Sequence, residues 1–408
     1  MKNWNVVRRI LFLTVFIDLL GFGIAVPILA YSAKTYGASG MTLGLILASF
    51  SLMQFFFSPI WGRLSDRIGR RPVIVGSLLG NVIGFATFAF ASNVAMLFAA
   101  RIITGIAAAS VPTAQAYIAD STDETNRAKG MSIIGMAFGF GLVLGPPVGG
   151  LLSSYGTSLN ISPNLLPGIA AATLSLTALL MALFALPESR TPDANASGHR
   201  FSPYDHETWS IFFRTRALRL SGGSLAVLMC TLASLAPILV LVGRDRYGLE
   251  ARAVGSLLGL MGVVVVLLQF TTTHRLSTKL GDVGAAMVGA GGLMLGLLLI
   301  PFTSSIAPLI IATCLMGVGQ GLCNPTLSSY ISKVAPESHR GGILGAAHSL
   351  NALARVMGPP IAGFAYDLYR APGALLSQAA IVAIAMFLAF RLIRTRTAGV
   401  ATARAKTA

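Results

Sequence analysis

The stretch "GRLSDRIGRRP", residues 62–72, places four arginines and one aspartate between two long apolar runs. Gly69 permits a tight turn, and Pro72 suits the first turn of a following helix. Asp66 and Arg70 supply charges of opposite sign within this short segment. The stretch predicts a charged loop that joins two helices, with Gly62 small enough to let helices approach each other closely.

The chain around this loop is too apolar for a soluble protein. It is 54% hydrophobic and 11% charged, with a mean hydropathy of +0.75, whereas soluble domains carry about 25% charged residues. A membrane span takes about 20 mostly apolar residues, because only a helix satisfies its own backbone polar groups within lipid. We therefore predict an all-α membrane protein with twelve transmembrane helices in two pseudo-symmetric six-helix bundles. The predicted spans are residues 8–31, 41–61, 72–91, 95–118, 130–153, 165–186, 218–242, 252–273, 282–302, 306–331, 341–364 and 373–394.

Basic residues are distributed unequally between the two sides of the predicted membrane. Most of the 30 Lys and Arg fall on the side of the N-terminus. The exceptions are Lys34, Arg244, Arg246, Arg252 and Arg370 in predicted external segments, and Arg101 and Arg355 inside spans. Because cytoplasmic loops of membrane proteins are enriched in Lys and Arg, both termini are predicted to be cytoplasmic. The formal charge of +16 then sets orientation and implies no nucleic-acid partner.

A polar segment divides the spans into two groups of six. Residues 187–217 are rich in Pro, Ser, Asp and Arg, which predicts a cytoplasmic linker between bundles at 1–186 and 218–394, with a cytoplasmic tail at 395–408. Within the linker, residues 209–213 and the arginines after them are compatible with two structures. One is a helix lying flat on the anionic inner leaflet, and the other is a solvated loop.

The two halves also resemble each other in sequence. "GRLSDRIG" from Gly62 matches "HRLSTKLG" from His274, and "GFGLVLGPPVGGLL" from Gly139 parallels "NALARVMGPPIAGFA" from Asn351. Such parallel repeats are typical of alternating-access transporters, in which two similar bundles rock around one site. In the second copy Thr278 takes the place of the loop aspartate, which predicts a weaker and asymmetric second loop.

The order and spacing of the 62–72 loop resemble the signature loop of the major facilitator superfamily. This resemblance implies a cytoplasmic latch that closes the inner face when the outer face is open. Its residues would be Gly62, Asp66, Arg70, Asp120 and Arg127. The alternative is that these charges only enforce topology.

Two further segments resemble motifs of the same superfamily. "GFGLVLGPPVGGLL" in the fifth span is similar to the motif of its antiporters, where small residues let a neighbouring helix approach and prolines bend the helix; the alternative is ordinary helix packing. The residues concerned are Gly141, Gly145, Pro146, Gly149 and Gly150. "RIITGIAAAS" in the fourth span resembles the segment whose arginine, here Arg101, is tied to proton coupling. The chain is most similar to the twelve-helix drug:proton antiporters and to tetracycline exporters, although Gly84 stands where those exporters have a second intramembrane aspartate.

Asp18 is the only acidic residue well inside a predicted span. An ionised carboxylate is costly there, so an intramembrane acid marks a functional site by default. Burial favours the protonated form of the carboxyl group and a nearby cation favours the ionised form. We predict that Asp18 carries the proton and that Arg101 tunes it, the alternative being a static buried ion pair.

The eleventh span carries His348, Asn351 and Arg355 on one helical face. This face either lines the substrate cavity or clasps the opposite bundle, and the sequence leaves both open. Gln115, Tyr117, Gln320 and Asn324 are further cavity candidates. Two embedded arginines against one embedded acid favour a neutral, amphipathic or anionic solute.

These features predict a monomeric multi-pass transporter of the bacterial inner membrane, with a small-molecule substrate and protons as partners. We expect export of a drug-like solute in exchange for protons. The alternatives are a facilitator or importer of a small organic anion without obligatory proton coupling, and a transporter-like sensor. The sequence contains no phosphate-binding loop for ATP, no metal motif and no nucleophile elbow, so we expect neither a cofactor nor an enzyme.

Overall fold

The computed structural model describes residues 4–108, 110–121, 124–189, 206–302, 305–336 and 339–407. These residues form helices and connecting turns, and no β-strand occurs among them. The first seven helices are α1 (Trp4–Thr35), α2 (Gly40–Ile68), α3 (Arg70–Ala89), α4 (Val94–Ala107), α5 (Ser110–Ser121), α6 (Glu124–Ser158) and α7 (Leu165–Phe184). The others are α8 (His206–Arg214), α9 (Arg216–Tyr247), α10 (Ala251–Thr271), α11 (Thr273–Leu299), α12 (Ile306–Val334) and α13 (Arg340–Thr407), with a 3₁₀ turn at Ile300–Phe302.

Every predicted span falls on helical structure, although spans and helices do not correspond one to one. Within the described ranges, nine helices are long and apolar enough to cross a membrane. The fourth predicted span is divided between α4 and α5, and Pro112 is the third residue of α5, where a helix needs no backbone donor. This interruption was not predicted from the sequence.

The last two predicted spans lie within α13. Its apolar part, Gly342–Ile393, is 52 residues long, which at 1.5 Å per residue is about 78 Å, more than twice the roughly 30 Å of a hydrocarbon core. The helix is interrupted at Tyr369 and at Arg370, whose φ of 55° is non-helical. Two spans on either side of this break account for the length.

The chain forms two compact units. The first is Met1–Arg200 with Leu239–Gly262, and the second is Phe201–Ile238 with Val263–Ala408. The end of α9 and the start of α10 thus group with the first unit, because small residues there pack on α6 as described below. The assignment of residues 1–186 and 218–394 to two bundles that move separately stays a prediction.

Each unit has its own apolar core. In the first unit, Leu11, Leu78, Tyr117 and Ala178 belong to one cluster drawn from α1, α3, α5 and α7, and none is more than 2% exposed. In the second unit the cluster joins α9, α11, α12 and α13. Large apolar side chains are exposed elsewhere, among them Phe184, Phe270 and Phe302. Such exposure is expected where the surroundings are lipid rather than water.

The predicted linker contains the short helix α8. Thr208 and Phe212 are buried on one side of it, against positions where α13 and α9 have Gly342 and Gly222. Residues 209–213 therefore form a docked helix, and the solvated-loop alternative is wrong for them.

Candidate functional site

Asp18 lies in the middle of α1 and is buried, with 6% of its surface exposed. Asn81 of α3 donates a hydrogen bond from Nδ2 to Asp18 Oδ1 over 2.7 Å. Asn81 is itself only 7% exposed. A carboxyl group held by an amide retains a donor in either protonation state, so this contact permits the group to gain and lose a proton without losing its place.

Gly84 explains why this chain has no second intramembrane aspartate on α3. A Cβ atom at position 84 would lie 3.2 Å from the backbone nitrogen of Thr104 and 3.3 Å from the carbonyl oxygen of Ala100. Helix α4 therefore passes close to α3 at position 84 and takes the space that a side chain would need. Small residues permit such close helix crossings. Asn81, one helical turn earlier, is the polar residue that α3 contributes here.

Arg101 of α4 lies in an aromatic environment. Its guanidinium carbon is 4.3 Å from the ring centroid of Phe50 and 5.4 Å from that of Phe22. The residue is 5% exposed, and within the described part of the chain its Nε atom has no hydrogen-bond partner. Two rings stabilise a desolvated cation by about 2 kcal/mol or more. The structure thus places Asp18 against Asn81, and Arg101 against Phe50 and Phe22.

The 62–72 loop forms a compact ionic cluster around Arg70. The guanidinium contacts Asp66 Oδ1 at 2.9 Å and Asp120 Oδ2 at 2.8 Å, and it donates to Ser65 Oγ over 2.6 Å. The Arg70 side chain is 8% exposed, whereas the side chains of Asp66 and Asp120 are 37% and 28% exposed, so these contacts are shielded from solvent on the arginine side only. The predicted association of Asp66, Arg70 and Asp120 is present, whereas the side chain of Arg127 lies outside the described residues.

Gly62 does not have the packing role expected of it. A Cβ atom at this position would meet no atom of the described structure within 4 Å. Gly69 is the glycine that the loop requires. Its φ is 101°, in the left-handed region, and a Cβ there would approach the Glu188 carboxyl carbon to 2.7 Å.

Glu188 also belongs to this cluster and was not predicted from the sequence. Its two carboxylate oxygens accept hydrogen bonds from the backbone nitrogens of Arg70 and Arg71, at 2.8 and 3.1 Å. The carboxylate thereby caps the N-terminus of α3, where negative charge is stabilising. Arg71 in turn donates to the carbonyl oxygens of Ala182 and Leu183 at the end of α7. The loop is therefore fixed to α5 and α7 together.

The second copy of the loop preserves this arrangement with the charges reversed. Gly281 breaks the helix with φ 74° and ψ 163°, close to the 101° and 165° of Gly69. The next residue is Asp282, which is buried and accepts from Lys333 Nζ at 2.8 Å and from Ser277. Ser277, Asp282 and Lys333 thus stand where Ser65, Arg70 and Asp120 stand in the first copy. The expectation of a weak second loop, based on Thr278, is wrong, because the ion pair is made by other residues.

The antiporter-like segment packs backbone against backbone. A Cβ at Gly145 would lie 2.6 Å from the backbone of Gly23 on α1, and a Cβ at Gly150 would lie 2.6 Å from the carbonyl oxygen of Ala251 on α10. Gly141 faces Leu19 in the same way, at 3.0 Å. These residues, together with Pro146 and Gly149, form the seam along which α6 contacts α1 and the first turns of α10.

Charged residues also join the far ends of α1 and α9. Lys34 Nζ is 3.2 Å from Asp245 Oδ2. Arg244 donates to the carbonyl oxygen of Tyr31 at 3.2 Å, and its guanidinium lies over the Tyr31 ring at 4.6 Å. We call these four residues the α1–α9 clasp. It lies at the end of α1 opposite to the ionic cluster of Arg70.

The further cavity candidates differ in how exposed their side chains are. Tyr117 is 1% exposed in the apolar core of the first unit, and its hydroxyl donates to the carbonyl oxygen of Pro187 at 2.8 Å. It is a packing residue, and the prediction of a cavity position for it is wrong. Gln115 and Asn324 are exposed, and Gln320 is half-buried with an Oε1 atom that has no partner in the described structure.

The polar face of α13 lies opposite to an apolar exposed face. His348 is exposed, Arg355 is half-buried, and Asn351 is 4% exposed with an Oδ1 atom that has no hydrogen-bond partner among the described residues. At 100° per residue, the exposed side chains of Leu353 and Met357 point away from His348. Only His348 of the three polar residues is exposed, and the cavity-lining role of this face stays a prediction.

Comparisons with known proteins agree with this architecture. A family model described as the Major Facilitator Superfamily matches residues 11–308 and 234–408. The chain is 32% identical over 358 residues to the class C tetracycline resistance protein of Escherichia coli, with 85% of this chain and 86% of that protein covered. It is 25% identical over 373 residues to multidrug resistance protein 2 of Bacillus subtilis, with 88% of both covered. The crystal structure of the human organic anion transporter MFSD10 matches with a TM-score of 0.69 and 26% identity, over 95% of this chain and 100% of that one.

Proposed function

Because the chain belongs to the major facilitator superfamily and is a multi-pass membrane transporter of small molecules, we propose that it exports a drug-like solute in exchange for protons. Both termini would be cytoplasmic, in a bacterial inner membrane. The similarity to tetracycline and multidrug resistance proteins supports export. The observation that carries the proton coupling is the buried Asp18 carboxyl group held by Asn81.

In the proposed cycle, Asp18 exchanges its proton as access to α1 alternates between the two sides. The Arg70 cluster lies at one end of α1 and the α1–α9 clasp at the other. The seam of α6 glycines lies between Asp18 and the clasp. We propose that the cluster and the clasp are the inner and outer gates, and that closing one accompanies opening the other.

A second candidate function is a facilitator of a small organic anion. The observation that favours it is the buried Arg101, whose Nε atom lacks a hydrogen-bond partner within the described residues. A carboxylate on the solute would supply that partner.

Transport in proteoliposomes separates the two functions. An acidic interior is imposed, and tetracycline and a fluorescent organic anion are offered outside while internal pH is followed with a dye. We expect solute uptake that requires the pH gradient and that releases protons from the interior. Uptake that follows only the solute's own gradient, with internal pH unchanged, would instead establish the facilitator.

The charge-reversed cluster of Asp282 and Lys333 provides a separate test, in the second unit, of whether the ion pair of the repeated loop supports stability and transport. Lys333→Met leaves the buried Asp282 without its cation, and we expect a loss of stability of about 1–3 kcal/mol, the range for a buried charged group that loses a partner. Thermal unfolding in detergent and transport rate are the measurements. Lys333→Arg should retain both, and the double reversal Asp282→Lys with Lys333→Asp should recover much of the loss. Unchanged stability and transport in Lys333→Met would show that the ion pair has no role.

A further inference from the structure

Helix α8 is connected directly to a helix that is long and apolar enough to span a membrane. One residue, Thr215, separates it from α9, which is long and apolar enough to span a membrane. On its docked side Phe212 is 1% exposed and lies against Gly222, seven residues into α9. Thr208 lies against Gly342, near the start of α13, with Oγ1 2.8 Å from where a Cβ would be. The helix therefore lies across the ends of two spans.

The remaining surface of α8 has an aromatic side and a basic side. Trp209 and Phe213 are one turn apart and their rings are stacked, with centroids 5.6 Å apart and planes at 18°. Phe213 remains 48% exposed although it lies beside a membrane span. Arg214 points away from this aromatic side by helix geometry, since it is about 100° further around the axis.

Basic residues cluster where α8 meets α9. Arg214, Arg216 and Arg219 are all exposed, and no acidic residue occurs between positions 208 and 244. Arg219 donates to the carbonyl oxygen of Phe213 at 3.1 Å, so it closes the C-terminus of α8 and keeps its charge at this junction. Exposed aromatic rings beside arginines are the combination that places a helix at the headgroup level of an anionic bilayer.

We propose that α8 and the start of α9 form a binding site for an anionic phospholipid. Its acyl chain packs on the stacked rings of Trp209 and Phe213, and its headgroup phosphate contacts Arg214 and Arg216. The site lies in the second unit and does not depend on the identity of the transported solute. The lipid-site proposal and the proposed export function can therefore be tested independently, and failure of one leaves the other unaffected.

Tryptophan quenching by brominated lipids tests the proposal. The chain has three tryptophans, so Trp4→Phe with Trp61→Phe leaves Trp209 as the only one. The full-length protein is placed in nanodiscs that contain brominated phosphatidylglycerol or, at the same mole fraction, brominated phosphatidylcholine. We expect stronger quenching by the anionic lipid. Because each basic residue near an anionic surface contributes about 1 kcal/mol, removing two should lower the lipid preference roughly tenfold or more.

The matched variants are Arg214→Gln with Arg216→Gln, and Arg275→Gln with Lys279→Gln as a control that removes the same charge from another exposed segment. The anionic preference should disappear in the first pair and persist in the control. Thermal stabilisation of the native-tryptophan protein by added phosphatidylglycerol, lost only in the first pair, is an independent measurement if the tryptophan variants fold poorly. Equal quenching by both lipids, no quenching by either, or a preference that survives the loss of both arginines would each overturn the proposal.

Discussion

Asp18→Asn is expected to reduce proton-driven solute accumulation to the background of empty liposomes. Asparagine has the size of aspartate, and its side-chain oxygen still accepts the hydrogen bond from Asn81. The change therefore removes titration and leaves the packing of α1 on α3. We expect the variant to bind solute and to exchange it between the two sides without an imposed gradient, since neither step needs a proton in the proposed cycle. Accumulation and counterflow in the same proteoliposomes are the paired measurements.

Two control variants complete this test. Asp18→Glu retains a titratable group and should keep part of the coupling. Asp367→Asn makes the same chemical change at an exposed position and should transport like the unaltered protein. Proton-driven accumulation that persists in Asp18→Asn would remove the basis of the proposed mechanism, whichever solute is used.

Gly145→Ala is expected to produce the second large effect. The added methyl group would lie 2.6 Å from the backbone carbons of Gly23, and a backbone cannot move aside as a flexible side chain can. Overpacking of this kind costs about 1–3 kcal/mol. Because the contact joins α6 to α1 between Asp18 and the clasp, we expect a lower unfolding temperature in detergent together with a severe loss of transport.

The matched control for this prediction is Gly76→Ala. A Cβ at Gly76, within α3, would meet no described atom within 4 Å. Replacing a helical glycine by alanine without a clash should leave the protein unchanged or stabilise it by roughly 0.5–1 kcal/mol. Equal behaviour of the two variants would show that the α1–α6 seam tolerates added volume and that its glycines are not needed for close contact.

Features set by local sequence were predictable. The helical spans follow from runs of apolar residues, because lipid leaves the backbone no other way to satisfy its polar groups. The burial of Asp18 follows from its place in such a run. The grouping of Asp66, Arg70 and Asp120 was expected from the family resemblance and not from helix periodicity, because Gly69, with a φ of 101°, interrupts the helix between Asp66 and Arg70.

Features set by packing between distant segments were not predictable. Glu188 reaches the 62–72 loop from the end of α7, and a single acid after an apolar run carries no sign of its partner. Lys333 was overlooked because the repeat was judged by identity of residues, whereas the structure preserves complementary charge. Tyr117 was taken as polar because of its hydroxyl group, although its ring is core and one carbonyl oxygen satisfies the hydroxyl.

The two extremities of α1 differ in how far dissolved ions reach them. The carboxylates at the two ends are about equally open, with Asp245 29% exposed and Asp66 and Asp120 37% and 28% exposed, whereas the cations differ, with Lys34 23% and Arg70 8% exposed. Electrolyte at about 0.1 M screens charges beyond roughly 10 Å and weakens open pairs far more than enclosed ones. Added salt should therefore weaken the Lys34–Asp245 pair more than the contacts of the enclosed Arg70 guanidinium.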